Sequence, residues 1–319
     1  MHRWTDPSQT PETLRPSVAT FGNFDGVHLG HRAVLARLAA EATERDLPSV
    51  AVTFDPHPAT IFHPESLELI APGRLRDDLL GTTGIDGLLV LDFTEEFAQQ
   101  TAEEFVVRTF VETLQVKAIV VGEDARGFGR GYTGDVSTLR ELGAAHGFDV
   151  VVLDDLGNGE RWSSSAVRRH LAAGEMSAAS AILGRPHRMT GTVVHGAHRG
   201  RELGYPTANL SVDSLGLIPA DGVYAGWLTR VDKPAEDPER TLPAAISVGT
   251  NPTFDGTVRT VEAYVLDRTD LDLYGEKVTV EFVEHIRPTL RFDSIEELLD
   301  AMAGDIEKCR QVLASIVPS

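Results

Sequence analysis

Short apolar runs alternate with helical patterns along the first half of the chain. Apolar runs of four to seven residues predict buried strands, and apolar residues three or four positions apart predict helices that face a core. The predicted strands are 17–21, 49–54, 87–93, 117–122 and 149–153, and the predicted helices are 31–45, 102–114 and 138–146. This order predicts a doubly wound α/β domain, whose parallel sheet binds ligands at the carboxyl ends of its strands.

The pattern changes near residue 187, where short strands follow one another with glycine or proline between most of them. The predicted strands are 189–195, 222–229, 244–248, 257–266 and 277–285. A long helix returns only at 294–314, where the predicted apolar stripe is Ile295, Leu298, Leu299, Met302 and Ile306. Short strands closed by one helix favour an antiparallel barrel or sandwich with a C-terminal helix. We therefore predict two domains, 1–185 and 186–319.

Composition and charge narrow the class of protein. The 319 residues carry a formal net charge of -19, which argues against a nucleic-acid partner. The single cysteine, Cys309, has no second thiol for a disulfide or a zinc cluster, so a reducing compartment fits. The first sixteen residues lack the apolar core of a signal peptide, and no apolar run approaches the length of a membrane span. We therefore expect a cytoplasmic protein with no membrane partner.

A glycine-rich stretch after the first strand of the α/β domain carries the first candidate chemistry. It reads Gly22-Asn23-Phe24-Asp25-Gly26-Val27-His28-Leu29-Gly30-His31 and leads into the predicted helix. The N–H groups of a helix N-terminus favour an anion, and two imidazoles three residues apart suit a triphosphate. A zinc-binding pair or purely structural histidines are the alternatives.

A second cluster opens the β-rich half. It reads Gly196-Ala197-His198-Arg199-Gly200-Arg201-Glu202-Leu203-Gly204-Tyr205-Pro206-Thr207-Ala208-Asn209. Its basic, glycine-containing start suits a loop over phosphates. Thr207 and Asn209 are two residues apart and share one side of an extended segment, where their oxygens suit Mg²⁺. The alternative is an ordinary turn with a capping Asn.

The glycine-rich stretch resembles the nucleotidyltransferase signature of prokaryotic FAD synthetases. Two further segments, 53–58 and 162–168, resemble the second motif and the Ser-Ser-Thr-x-x-Arg motif of that family, in which Arg168 would hold the leaving phosphates. The resemblance implies a Rossmann-like nucleotidyltransferase fold with His28, His31 and Arg168 as catalytic residues. Nucleotide or flavin binding is implied for Gly22, Phe24, Asp25, Gly26, Asp55, His57, Asp124, Phe128 and Ser164.

The segment that begins at Asp124 departs from the family pattern. The family has an aromatic residue soon after the acid, then Phe-Gly, whereas this chain reads Asp124-Ala125-Arg126-Gly127-Phe128-Gly129. It has one residue more and lacks the first aromatic. Phe128 is therefore either a flavin contact or an ordinary loop residue.

The second cluster is similar to the riboflavin kinase signature of the same family. The segments 221–227, 247–254 and 260–262 also resemble kinase segments, and Glu262 falls where the family has its catalytic carboxylate. Taken alone, Glu262 would be an exposed strand residue. The resemblance implies Mg²⁺ at Thr207 and Asn209, and nucleotide or flavin binding at Gly196, Arg199, Gly204, Pro206, Asn251, Tyr274 and Arg291.

The resemblance implies two transfers from ATP to a flavin. The C-terminal domain would phosphorylate riboflavin to FMN, and the N-terminal domain would adenylylate FMN to FAD with release of pyrophosphate. Three other functions remain open: a kinase with an inactive or altered N-terminal domain, a flavin or nucleotide sensor without turnover, and a cytidylyltransferase for a sugar or polyol. The sequence does not fix an oligomeric state.

Overall fold

The chain divides into two compact units, Met1–Ser163 and Ser164–Ser319. The structure, a computed structural model, describes residues 1–62, 67–154, 161–196, 204–253, 256–316 and 318, with the backbone alone at 251–253 and 256–258. Each unit has its own architecture and is described separately.

The first unit is built on a six-stranded parallel sheet. Its strands are β1 (His2–Trp4), β2 (Val18–Phe21), β3 (Ser49–Asp55), β4 (Gly87–Asp92), β5 (Ala118–Gly122) and β8 (Asp149–Leu153), and a small hairpin adds β6 (Arg126–Phe128) and β7 (Gly134–Asp135). The helices are α1 (Leu29–Glu44), α2 (Pro58–Phe62), α3 (Gly73–Gly81), α4 (Ala102–Val106) and α5 (Val136–His146). The predicted doubly wound α/β fold is confirmed.

Strand β2 lies at the point where the direction of winding changes. The sheet order is β1-β4-β3-β2-β5-β8, so the chain runs outward from β2 through β3 and β4 and then returns to the other side of β2 as β5. Doubly wound sheets bind ligands at such a switch point, beyond the carboxyl ends of the strands. The glycine-rich stretch that follows Phe21 begins at this place.

The predicted helix 102–114 takes a different form. An α-helical turn over Ala102–Val106 continues as a π-helical segment over Val107–Thr113. The wider π turn shifts which side chains face inward. Phe105, Val106 and Phe110 are buried as predicted, whereas Val111 is only half-buried.

The second unit is a closed antiparallel barrel with helices before and after it. Its strands are β9 (His187–Val194), β10 (Ala208–Leu210), β11 (Gly222–Arg230), β12 (Thr241–Thr253), β13 (Gly256–Val265) and β14 (Lys277–Arg287), in the barrel order β10-β13-β12-β11-β14-β9. The helices are α6 (Ser164–Ala173), α7 (Met176–Leu183) and α8 (Ile295–Leu313). The barrel confirms one of the two predicted arrangements and excludes a sandwich.

Helix α8 packs against the barrel with its second half. Cys309 and Leu313 are buried beside Trp227, and Asp305 accepts two hydrogen bonds of 2.9 and 2.7 Å from the guanidinium of Arg287 on β14. Burial raises the pKa of the Cys309 thiol to about 12, so this residue acts as an apolar contact. The predicted apolar stripe of α8 was wrong at its start, because Ile295 is 60% exposed. The face of α8 that packs on the barrel is centred on Asp305 and Cys309.

The hydrophobic pattern missed the short elements. Strands β1 and β10 have three residues each, and both are held by pairing with distant strands, β4 for β1 and β9 and β13 for β10. Helix α3 was missed because its buried face includes the charged residues Arg76 and Asp77, which interrupt the apolar pattern. Over the described part of the chain, no helix is both long and apolar enough to cross a membrane.

The ion pair between Arg287 and Asp305 should stabilise the second unit. We expect Asp305→Ala to lower the free energy of unfolding by about 3 kcal/mol, because it leaves the largely buried Arg287 without its carboxylate. Glu307→Ala is the matched control, since Glu307 pairs with Arg310 at an exposed position on the same helix and should change stability little. Urea titration measures both, and equal effects of the two variants would contradict this role for the buried pair.

Candidate active sites

The first site lies in the loop between β2 and α1. The Gly22 N–H donates to the Val52 carbonyl at 3.1 Å, and the Thr53 hydroxyl donates to the Asn23 carbonyl at 3.4 Å, so the loop stays attached to β3. Phe24 and Val27 are buried with φ angles of 51° and 44°. Non-glycine residues in this left-handed region store strain, and such strain is concentrated at binding and catalytic sites.

His28 forms the N-cap of α1, and this contact fixes the proton on its ring. Its Nδ1 accepts a hydrogen bond from the His31 N–H at 3.3 Å. A neutral imidazole that accepts at Nδ1 carries its proton on Nε2, so Nε2–H is the donor that His28 can offer to a ligand. The two rings stack at a centroid separation of 3.6 Å, and Gly30 leaves room for them because a Cβ there would lie 3.1 Å from the His28 ring.

Both histidines of this pair are neutral near pH 7. Burial, together with the positive charge of Arg161, lowers the pKa of His28 to about 4. Burial and the neighbouring His28 hold the pKa of His31 well below its ordinary value. The pair therefore offers N–H donors and no fixed charge at this place. His28 Nδ1 is already engaged, and no group of three or more His, Cys, Asp or Glu able to hold a metal occurs among the described residues.

Asp25 of the β2–α1 loop is hydrogen-bonded to backbone outside the loop. Its side chain is buried, and its two carboxylate oxygens accept hydrogen bonds from the N–H groups of Ile70 (3.2 Å) and Ala71 (2.9 Å). Gly26 lies against the same segment, since a Cβ there would lie 3.0 Å from the Ile70 side chain. These contacts attach the loop to the segment that precedes α3.

Asp55 is the last residue of β3, and His57 follows it at the same edge of the sheet as the β2–α1 loop. The Asp55 side chain is exposed, and the half-buried His57 accepts a hydrogen bond at Nδ1 from the Ala59 N–H at 3.1 Å. Since β2 and β3 are parallel neighbours, Gly22 and Asp55 both lie at carboxyl ends. The parallel pairing explains how two motifs about 30 residues apart in the chain come to one edge.

Asp124 pairs with a residue that the sequence analysis did not single out. The Asp124 carboxylate accepts a hydrogen bond of 2.5 Å from Arg161, and the charge of Arg161 also acts on His28. Arg161 lies directly before the 162–168 motif, and its position beside that motif was the available signal. It adds a cation to a site otherwise made of neutral donors.

Phe128 lies on the β6–β7 hairpin and packs on the aromatic core. Its ring meets the Phe21 ring edge-on with centroids 5.3 Å apart, so it is more than a loop residue. The pairing of Arg126 with Asp135 and of Phe128 with Gly134 leaves one unpaired residue, Gly127, as a β-bulge with a φ of 77°. The bulge accommodates Gly127 as an extra residue in this strand, and Phe128 packs against Phe21.

Ser164 and Arg168 belong to α6, in the second compact unit. Ser164 is the first residue of the helix, and Arg168 lies one turn later; both are half-buried. A helix N-terminus with a nearby guanidinium suits phosphate oxygens.

The second site is a hydrogen-bonded cluster on the barrel. Strand pairing puts Asn209 directly opposite Glu262. The Thr207 hydroxyl donates to Glu262 Oε2 at 3.1 Å, and Asn209 Nδ2 donates to Thr207 Oγ1 at the same distance. The structure thus brings together the three residues that the sequence predicted for metal binding and base catalysis.

Gly196 leaves the space that the Asn209 side chain occupies. A Cβ at position 196 would lie 2.5 Å from Asn209 Oδ1 and 2.6 Å from Nδ2. The cluster offers a hydroxyl, an amide oxygen and a carboxylate, and Mg²⁺ prefers such hard oxygen donors. The donor set therefore fits the predicted metal.

The remaining predicted contacts of the barrel are more dispersed. Gly204 and Pro206 lead directly into Thr207, and the Tyr274 ring lies 3.9 Å from the His195 ring. Arg291 is exposed in the loop before α8. Arg199 and the side chain of Asn251 lie outside the described residues.

Comparison with known proteins separates the same two halves. The FAD synthetase family matches residues 10–167, and the riboflavin kinase family matches residues 183–313. The bifunctional riboflavin kinase/FMN adenylyltransferase of Escherichia coli K12 is 37% identical, over 98% of this chain and 97% of its own length. That of Pseudomonas fluorescens is 38% identical over 94% and 96%. The chain belongs to the bifunctional riboflavin kinase/FMN adenylyltransferase family. Its predicted membership is confirmed.

A solved structure of similar fold matches this chain along nearly its whole length. A crystal structure described as a macrolide-efflux protein from Streptococcus pneumoniae is 32% identical, with a TM-score of 0.84 over 97% of this chain and 98% of its own. The first site thus lies in the half that matches FAD synthetase, and the second in the half that matches riboflavin kinase.

The buried His28 ring predicts how the stability of the bifunctional enzyme depends on pH. Its pKa of about 4 in the folded chain is below the ordinary value of 6.5, so its contribution is complete above pH 6.5 and is lost as the pH falls towards 4. The loss should reach about 3 kcal/mol. NMR titration should give a His28 midpoint near 4, and His28→Asn should flatten the pH dependence of unfolding. A midpoint above about 6 would contradict a buried neutral ring.

The space at Gly196 predicts a selective loss of kinase activity. Gly196→Ala should lower riboflavin phosphorylation by about 10-fold or more, because the new methyl group displaces Asn209 from Thr207. Adenylylation of added FMN should persist. Gly304→Ala on α8 is the matched control, since a Cβ there meets no atom within 4 Å. A kinase rate for Gly196→Ala equal to that of the control would exclude this role of the glycine.

Proposed function

We propose that this chain phosphorylates riboflavin at the Thr207–Asn209–Glu262 cluster and adenylylates the product at the β2–α1 loop. The observation that carries the kinase assignment is the hydrogen bond from Thr207 to Glu262, which holds the carboxylate beside the two oxygen ligands. Glu262 accepts the proton of the ribityl hydroxyl as that oxygen attacks the γ-phosphorus of ATP, and ADP leaves. Glu262 lies on β13 between β10 and β12, so its backbone is held on both sides.

Thr207 and Asn209 are the residues we propose for Mg²⁺. The Thr207 oxygen donates its proton to Glu262 and accepts from Asn209, which leaves one lone pair, and the Asn209 Oδ1 atom is not used in these bonds. When bound, the ion would neutralise charge on the phosphate oxygens of ATP. The Gly196 segment, with Gly204, Pro206, Tyr274 and Arg291, would hold nucleotide and flavin around this cluster, together with Arg199 and Asn251.

The adenylyl transfer needs no covalent intermediate on the protein. The phosphate of FMN attacks the α-phosphorus of ATP, and pyrophosphate leaves. His28 would donate Nε2–H to a phosphate oxygen, since its Nδ1 is engaged with the His31 N–H. His31, the N–H groups at the start of α1 and Arg168 would stabilise the remaining charge, which makes catalysis a matter of position and electrostatics.

Several partly exposed phenylalanine side chains of the first unit form a surface that the flavin of the first site would contact. Phe93, Phe97 and Phe128 are partly buried residues packed on the core of the first unit, and Phe62 is 44% exposed with its ring 6.2 Å from that of Phe93. Aromatic faces of this kind receive a planar ring system. Asp124, at the start of the same hairpin segment, would contact the polar edge of the ligand.

We place the functional boundary at 185/186, between residues 1–185 for adenylyl transfer and 186–319 for the kinase. The first family match ends at 167 and the second begins at 183, so this boundary lies within about three residues of the start of the second match. Ser164 and Arg168 of helix α6 fall within residues 1–185 and would serve the first activity. The ATP substrate, the buried unpaired Cys309 and the net charge of -19 support a cytoplasmic enzyme without a nucleic-acid partner.

Two reciprocal variants test the division of labour. Glu262→Gln should lower riboflavin phosphorylation by about 100-fold or more, because the amide cannot accept the hydroxyl proton, while adenylylation of added FMN persists. The matched control is the double variant His28→Ala with His31→Ala, which should lose FAD formation and keep the kinase. Chromatography of the products from riboflavin, ATP and Mg²⁺ measures both. Equal loss of the two activities in either variant would refute the assignment.

A further inference from the structure

The segment 70–77 is hydrogen-bonded both to the β2–α1 loop and to the 53–58 segment of the first unit. At one end, the N–H groups of Ile70 and Ala71 donate to Asp25 in the β2–α1 loop. At the other end, Arg76 on α3 donates from Nη1 to the Phe54 carbonyl at 2.6 Å. Phe54 comes directly before Asp55, so one short segment connects the loop to the place where the second motif leaves β3.

Arg76 is held in this position by a buried charge network. Arg76 is only 3% exposed, and its Nε and Nη2 atoms donate hydrogen bonds to Asp77 Oδ1 at 3.2 and 3.1 Å. Asp77, 4% exposed, also accepts from Arg3 on β1 at 2.7 Å. The Asp77 carboxylate thus accepts hydrogen bonds from the guanidinium groups of both Arg76 and Arg3.

Stability alone does not account for this network. Burying charged groups costs desolvation energy, and apolar side chains of similar volume often stabilise a protein equally well or better. Helix α3 already has an apolar face, formed by Leu75, Leu79 and Leu80, which are all buried. The guanidinium of Arg76 supplies what a leucine cannot, a rigid fork that bonds a strand carbonyl and a carboxylate at once.

We propose that Arg76 is a positioning residue for adenylyl transfer, which fixes the Asp55–His57 turn relative to the β2–α1 loop. The inference rests on the proposed function of the first site. As far as Thr53, the β2–α1 loop and strand β3 are hydrogen-bonded directly to each other. The Gly22 N–H donates to Val52, and the Thr53 hydroxyl donates to Asn23. Beyond Thr53, the 70–77 segment provides the connection through Asp25 and Phe54.

The test compares variants of the full-length enzyme. Arg76→Gln removes the charge and the fork, whereas Arg76→Lys keeps the charge without the fork. Arg74→Gln is the matched control, since Arg74 lies on the same helix and is exposed. For each protein, kcat and KM for ATP are measured in FAD formation from FMN, riboflavin phosphorylation is measured in the same sample, and the amide exchange rate of Ala59 reports on the His57 turn.

We expect Arg76→Gln to lower kcat for FAD formation by about 10- to 100-fold, with KM for ATP changed by less than about 3-fold, because misplaced groups act mainly on the transition state. The Ala59 amide should lose protection. Arg76→Lys should recover only part of the rate. Arg74→Gln and the kinase activity of every variant should remain at wild-type values.

A kcat for Arg76→Gln within about 2-fold of wild type, at a temperature where the variant is folded, would overturn the proposal even if its Tm falls. If Arg76→Gln does not fold, Arg76→Lys decides by the same criterion. A wild-type enzyme that forms no FAD would instead refute the proposed function. Amide exchange at Ala59 then remains the test of positioning, and unchanged protection in the Arg76 variants would overturn it.

Discussion

Asn209 on β10 and Glu262 on β13 stand opposite each other because the antiparallel register of the two strands pairs them directly. The same kind of constraint operates in the first unit, where the parallel register of β2 with β3 ends both strands at one edge. Register is strongly specified where one face of a strand is buried, because a slip of one residue would turn its apolar side chains outward. Packing of the cores therefore fixes where the polar groups of both sites lie.

Within each site, small residues make room for the polar side chains, and hydrogen bonds orient those side chains. Gly30 makes room for the His28 ring and Gly196 for the Asn209 amide, so that each polar side chain lies close to backbone. His28 and Thr207 are both oriented by a hydrogen bond to the next functional residue of the cluster. Groups oriented in this way need little rearrangement when a phosphate arrives, and fixed dipoles of this kind lower the barrier for phosphoryl and nucleotidyl transfer.

The sequence predicted those features that depend on a local hydrophobic pattern or on a motif. The long strands, the major helices, the two-domain order and the Thr207–Asn209–Glu262 set are of this kind. Features held by distant partners escaped prediction, since Asp25 bonds residues 45 and 46 positions away and Arg161 meets Asp124 across 37 positions. The edge strand β1 has only three residues, and the buried face of helix α3 includes the charged residues Arg76 and Asp77, which hide its apolar period. Ile295 was misplaced because an amphipathic pattern indicates a stripe but not which part of the helix reaches the barrel.

The bulge at Gly127 separates the length of the hairpin from the packing beneath it. Gly127 is looped out of the strand pairing, while Arg126 and Phe128 on either side of it remain paired with Asp135 and Gly134. The Phe128 ring therefore lies against Phe21 although its strand carries one residue more than the partner strand.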